Sequence, residues 1–135
     1  MPGAVLARSS TPPVTVKLLI KNSTRNSVVT TTADIADTSQ KRRTGLLKHS
    51  NLAAGEGLWI VPCEAVHTFR MRFPIDVLYL NKHKKVLKIR DNMKKSRMSI
   101  CLRAHSVLEL PAGHAAATGT VVGDQLEFTK HTVDG

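Results

Sequence analysis

Cysteine is scarce in this chain. Cys63 and Cys101 are the only two and stand far apart, which excludes the dense disulfide framework of small secreted domains. No apolar run approaches the roughly 18 residues that a membrane-crossing helix needs. The first thirteen residues offer only Ala4-Val5-Leu6-Ala7 where a signal peptide would carry a longer apolar stretch. The expectation is a cytoplasmic protein with no membrane span and two free thiols. Also missing are a glycine-rich phosphate loop, a Gly-x-Ser-x-Gly elbow and a His-Glu-x-x-His pair, so no specific catalytic signature is present and no cofactor is called for. Neither an internal repeat nor a low-complexity block occurs.

Acid is outnumbered by base, with 10 Asp and Glu against 20 Lys and Arg for a net charge of +10. A basic surface attracts phosphates, anionic lipid or acidic ligands. The excess is concentrated in Lys82, Lys84, Lys85, Lys88, Arg90, Lys94, Lys95 and Arg97, opposed within that stretch by Asp91 alone. Such a run reads either as a solvated hairpin rim or as an electrostatic nucleic-acid surface. Aromatic residues make up 4% of the chain and only Tyr79 lies near the rim, so nucleic-acid contact there would rest on charge rather than stacking.

What the chain does have is strand material. Residues 1–13 read as a flexible tail, 14–130 as one mainly β domain and 131–135 as a C-terminal tail. Val14–Ile20 and Val28–Ala33 are rich in β-branched residues and flank turn chemistry, which predicts a hairpin. Asp37 and Gln40 suggest a capping box opening a short helix from Thr38 to about Lys48, with Lys41, Arg42 and Arg43 facing water. Leu58–Val61, ended by Pro62, is expected as a buried strand. Further strands are expected at 85–90, 100–103, 107–110 and 125–129, with a short helix opening at Pro111 and closing at Gly119. Many short strands without long alternating helices predict a compact β-sandwich, jelly-roll-like or barrel-like domain with one or two short helices.

The segment from His67 to Leu80 places Arg70, Arg72 and Asp76 inside what otherwise reads as buried strand. Alternation puts Phe69, Met71, Phe73, Ile75, Val77 and Tyr79 on one face, and the charges with Leu78 and Leu80 on the other. Four strand residues span about 13 Å, so Arg72 can meet Asp76 only if the chain bends at Pro74. A bend would also bring Arg70 or Arg72 toward Glu109, a carboxylate standing among Val107, Leu108 and Leu110. A carboxylate in apolar company takes a cationic partner or becomes a candidate acid or base. Cys63 and His67 stand four apart, which admits a thiol nucleophile with its base but is weak spacing for a metal, and none is expected.

Several pieces in order resemble the family known as domain of unknown function 192: Thr44-Gly-Leu-Leu47, Gly57-Leu-Trp59, His67-Thr-Phe-Arg-Met-Arg-Phe-Pro-Ile-Asp-Val77, Val107-Leu-Glu-Leu-Pro-Ala-Gly113, Gly119 and Val122-Gly-Asp124. The resemblance implies a compact sandwich or jelly-roll fold. It implies no reaction, ligand or catalytic residues.

Three functions are compatible with these residues. The first is a non-enzymatic domain that binds an anionic or polar ligand near Cys63, His67, Arg70, Arg72, Asp76 and Glu109. The second is a nucleic-acid-associated module using the 82–97 rim, and the third is an enzyme relying on Cys63 and His67.

Overall fold

The computed structural model describes residues 14–134. The expected tail over 1–13 and the terminal Gly135 lie outside the described residues. Nine strands and two short helices follow one another as β1 (Val14–Asn22), β2 (Ser27–Ala36), α1 (Ser39–Thr44), β3 (Glu56–Ile60), β4 (Ala65–His67), β5 (Ile75–Leu80), β6 (Val86–Met93), β7 (Met98–Ile100), β8 (Ser106–Pro111), α2 (His114–Ala117) and β9 (Leu126–Asp134). β9 thus runs through residues 131–134, beyond the strand and into the tail that the sequence pattern suggests.

Seven strands form one sheet in the order β6-β5-β8-β3-β2-β1-β9, and β4 pairs with β7 as a separate two-stranded flap. The sheet does not close into a barrel. Its two edges touch at one corner, where Lys85 bridges Gln125 and the Val86 amide donates to the Asp124 carbonyl at 2.9 Å. β2 and β3 pair in parallel, and parallel neighbours require a crossover. That crossover carries α1 over one face of the sheet.

The two faces of the sheet bury separate cores. Leu18, Ile20, Leu78, Leu80, Leu108 and Leu110 belong to the first, with Ala115 of α2. Ile60, Ile75, Val77, Tyr79 and Val107 belong to the second, with Leu46 behind α1 and Val66 of the flap. The central strands β5 and β8 are covered on both sides, so Ile75 to Leu80 and Ser106 to Leu110 are all buried. Parity along each strand then decides which core a side chain enters.

The sequence expectations need correction in four places. The strand expected over 100–103 is β7 at Met98–Ile100, with a turn after it. Residues 68–74 are not strand: β4 ends at His67, and a loop with Arg70 at φ 69° leads to β5. Phe69 is accordingly 45% exposed. α1 is capped by Thr38 rather than Asp37, its Oγ1 accepting from the Lys41 amide at 3.2 Å, and it stops at Thr44, before Gly45 at φ 50°. Pro111 closes β8 instead of opening α2, whose N-cap is Gly113.

Gly57 in β3 is required by proximity. A Cβ there would stand 3.0 Å from the Glu109 carbonyl, 3.2 Å from Leu110 Cδ2 and 3.3 Å from Thr30 Cγ2. The strand cannot retreat from Glu109 without breaking its pairing with β8. We expect Gly57→Val to destabilise by about 1–3 kcal/mol through overpacking, measurable in urea melts; an unchanged midpoint would show that β3 and β8 can separate freely.

Candidate functional site

A cleft of about 620 Å³ opens between α1 and the flap strand β4, above the second core. Arg42 and Arg43 come from α1, Cys63 and His67 flank or belong to β4, and Glu109 of β8 lines the same cleft. The crossover connection puts the arginines there: it must lie across the sheet face, and α1 lies over that face.

Glu109 is the unusual member. It lies in a central strand, paired across to Leu58 of β3 and Val77 of β5, and is 5% exposed. Among the described residues its carboxylate has no ion-pair partner. Burial alone pushes it from the ordinary 4.5 up to about 7. Among the described residues no hydrogen bond or cation offsets the loss of hydration.

Cys63 is half-buried, and its Sγ donates to the Ala65 carbonyl at 3.2 Å. Burial pushes the thiol up, with the nearby Glu109 adding to the rise, while the Ala65 contact and Arg42 pull the other way. That is opposite to the direction that makes a thiol a nucleophile. His67 is exposed, its ring stacked on Phe69 at a centroid distance of 5.4 Å. Arg42 donates to the Val61 carbonyl at 3.3 Å and to Ser39 Oγ at 3.4 Å. Arg43 is exposed on the rim of the cleft.

Three of the six residues anticipated for one pocket come together here: Cys63, His67 and Glu109. The other three do not. Arg70 and Arg72 sit exposed in the loop before β5, and among the described residues neither forms an ion pair. Asp76 is fully buried, but on the other side of the sheet. Val77 is the register partner of Glu109, so Asp76, one residue earlier, points into the first core with Leu78 and Leu80. There its Oδ1 accepts from the amides of Asn92 at 2.8 Å and Gly113 at 3.1 Å, and its Oδ2 from that of Ala115 at 2.9 Å. The expected meeting of arginine and carboxylate is therefore replaced by backbone amides, which satisfy a buried carboxylate without the cost of burying a second charge.

Arg42 and Arg43 are the site residues that sequence reasoning turned toward water. The only signal was their position just before Thr44-Gly-Leu-Leu47, whose leucines anchor the end of α1 in the second core. The basic 82–97 rim is partly engaged within the fold. Lys84 Nζ lies 5.4 Å from the Trp59 ring centroid and 5.3 Å from that of Phe128. Lys88 donates to the Ile100 carbonyl at 2.8 Å.

A family model, DUF192 (Uncharacterized ACR), matches residues 20–128. The chain belongs to the DUF192 family. The match spans β1 to β9 and so includes every residue of the cleft. Two solved structures share the DUF192 chain's fold. One, from Sinorhizobium meliloti 1021 and provisionally named a transcription regulator, is 19% identical, covers 87% of this chain and 95% of its own, and superposes with a TM-score of 0.74. The other, a protein of unknown function from Novosphingobium aromaticivorans, is 22% identical with coverages of 90% and 95% and a TM-score of 0.73. Comparison with curated proteins gave no match. At these identities the likeness speaks for the fold alone.

Proposed function

We propose that this DUF192 domain binds a small anionic or polar molecule in the cleft between α1 and β4. The observation that carries the reading is Glu109, a buried carboxylate with no partner among the described residues, on the wall of an open cleft. Leaving such a group unpaired costs stability, and a ligand polar atom offsets that cost. Arg42 and Arg43 supply positive charge at the other wall, which selects an anionic group.

The protonated form of Glu109 donates a hydrogen bond to a ligand oxygen, and the ionised form repels it. Since the carboxyl changes state near 7, affinity for an anion falls as pH rises through that value. Thermal-shift and NMR titrations with inorganic phosphate, citrate and glutamate test the reading. We expect at least one of these to raise the melting temperature more at pH 6 than at pH 8, and Arg42→Ala with Arg43→Ala to weaken binding by about tenfold or more. If none of the three perturbs His67 or the melting temperature at either pH, the cleft is not an anion site.

The alternatives draw less support. A Cys63 thiol raised by burial is poorly suited to nucleophilic catalysis. The positive charge of the 82–97 rim favours nucleic acid, yet Lys84 and Lys88 already serve internal contacts.

A further inference from the structure

The flap formed by β4 and β7 has one buried face and one bare one. Ala65 pairs with Ile100, Val66 with Ser99 and His67 with Met98. Alternation sends Val66 and Ser99 inward, each 7% exposed, and leaves Met98 69% and Ile100 53% exposed. Phe69, stacked on His67, extends this outer face at 45% exposure, and Leu102 follows at 72%. Isolated exposed apolar residues are unremarkable, but a contiguous set on one face marks an interaction surface.

Cations surround the set. Arg70 follows Phe69, Arg97 precedes Met98 and Arg103 follows Leu102; all three are exposed. The turn holding Lys94 and Lys95 is tied to the flap through Thr68, whose amide donates to the Arg97 carbonyl and whose carbonyl accepts from the Ser96 amide. In the two segments 63–73 and 94–103 the only acid is Glu64, against six Lys and Arg.

We propose that this face of the flap docks on an anionic lipid surface, Phe69, Met98, Ile100 and Leu102 entering the headgroup boundary and the flanking lysines and arginines resting on acidic headgroups. The side chains project outward, which suits insertion among lipids that adapt to any shape. A collar of dispersed cations matches a uniformly negative surface. A nucleic-acid surface would instead need stacking platforms among its cations, and Phe69 is the only aromatic ring among the four. The proposal concerns the face of the flap turned away from the second core and does not depend on ligand binding in the cleft.

Co-sedimentation of the full chain with vesicles of phosphatidylcholine, with and without phosphatidylserine, tests it. We expect partition onto the phosphatidylserine vesicles only, weakening with salt. The variant Met98→Ser/Ile100→Ser/Leu102→Ser should keep the wild-type melting temperature and lose about tenfold or more in partition. Leu102→Ser alone, in a turn outside the strand, serves if the triple variant fails to fold and should show a smaller loss in the same direction. Three results would overturn the proposal. The first is no partition onto phosphatidylserine vesicles at low salt, and the second is partition that the serine variants leave unchanged. The third is tight binding of a single-stranded oligonucleotide that the same variants abolish, which would make the face a nucleic-acid surface.

Discussion

Replacing Asp76 by alanine is expected to cost about 3–5 kcal/mol of folding stability. The carboxylate is fully buried and accepts from three backbone amides. One belongs to Asn92, at φ 48° in β6, where the register with β5 shifts between the pairs Ile75–Met93 and Val77–Arg90. The extra residue of that bulge turns the Asn92 amide out of the strand ladder, and Asp76 accepts it. The other two come from Gly113 and Ala115 at the start of α2, a helix of four residues that is too short to stand without tertiary support. Asp76 therefore joins the edge of the sheet to α2 through a single side chain. Asp76→Asn retains one acceptor oxygen and should lose roughly half as much. Urea melts of both variants decide the matter. A loss below about 1 kcal/mol for the alanine variant would mean that water replaces the carboxylate and that the residue is not a structural joint.

The second large effect is a gain. Glu109→Gln is expected to leave stability near pH 4 almost unchanged and to raise it at pH 8 by about 3 kcal/mol. The folded protein holds the Glu109 proton up to about 7, whereas the ordinary value is 4.5. Between those values the native state binds more protons than the unfolded chain. Stability conferred by the neutral carboxyl is complete below the lower value, declines as pH rises through the interval, and is lost above about 7. Glutamine has no proton to lose, so the decline disappears from the variant. Chemical denaturation of both proteins across this range measures the difference. A variant less stable than the parent at pH 8 would show that the ionised carboxylate has a cationic partner in solution, contrary to the arrangement in the cleft. A residue that lowers stability at neutral pH is what a binding site retains when function opposes folding.

Much of the architecture was legible in the chain. β-branched residues around turn chemistry predicted the β1–β2 hairpin, which runs from Val14 to Ala36 with its turn between Asn22 and Ser27. The family segments fall on β3, β5 and β8, and of these β3 and β8 supply residues to the cleft. Glu109 and Asp76 could be recognised as anomalies because a carboxylate among apolar neighbours is costly wherever the chain goes. The segment from His67 to Pro74 was harder. Its alternation imitates a strand, but β4 stops at His67 and its pairing with β7 involves only three residues on each side. Arg70 in the left-handed region then turns the chain away.

By itself the sequence determined that the protein would be mainly β, that its basic residues would outnumber its acids, and that two carboxylates would be buried at a cost. Those properties follow from local composition and period, which neighbouring residues share. The tertiary structure alone decided what each carboxylate meets. Asp76 and Glu109 lie on adjacent strands one register step apart, and a step of one residue sends a side chain to the opposite face. One face offers Asp76 three amides. The other offers Glu109 an open cleft, beneath arginines that reach it only because a parallel strand pair forces α1 across the sheet.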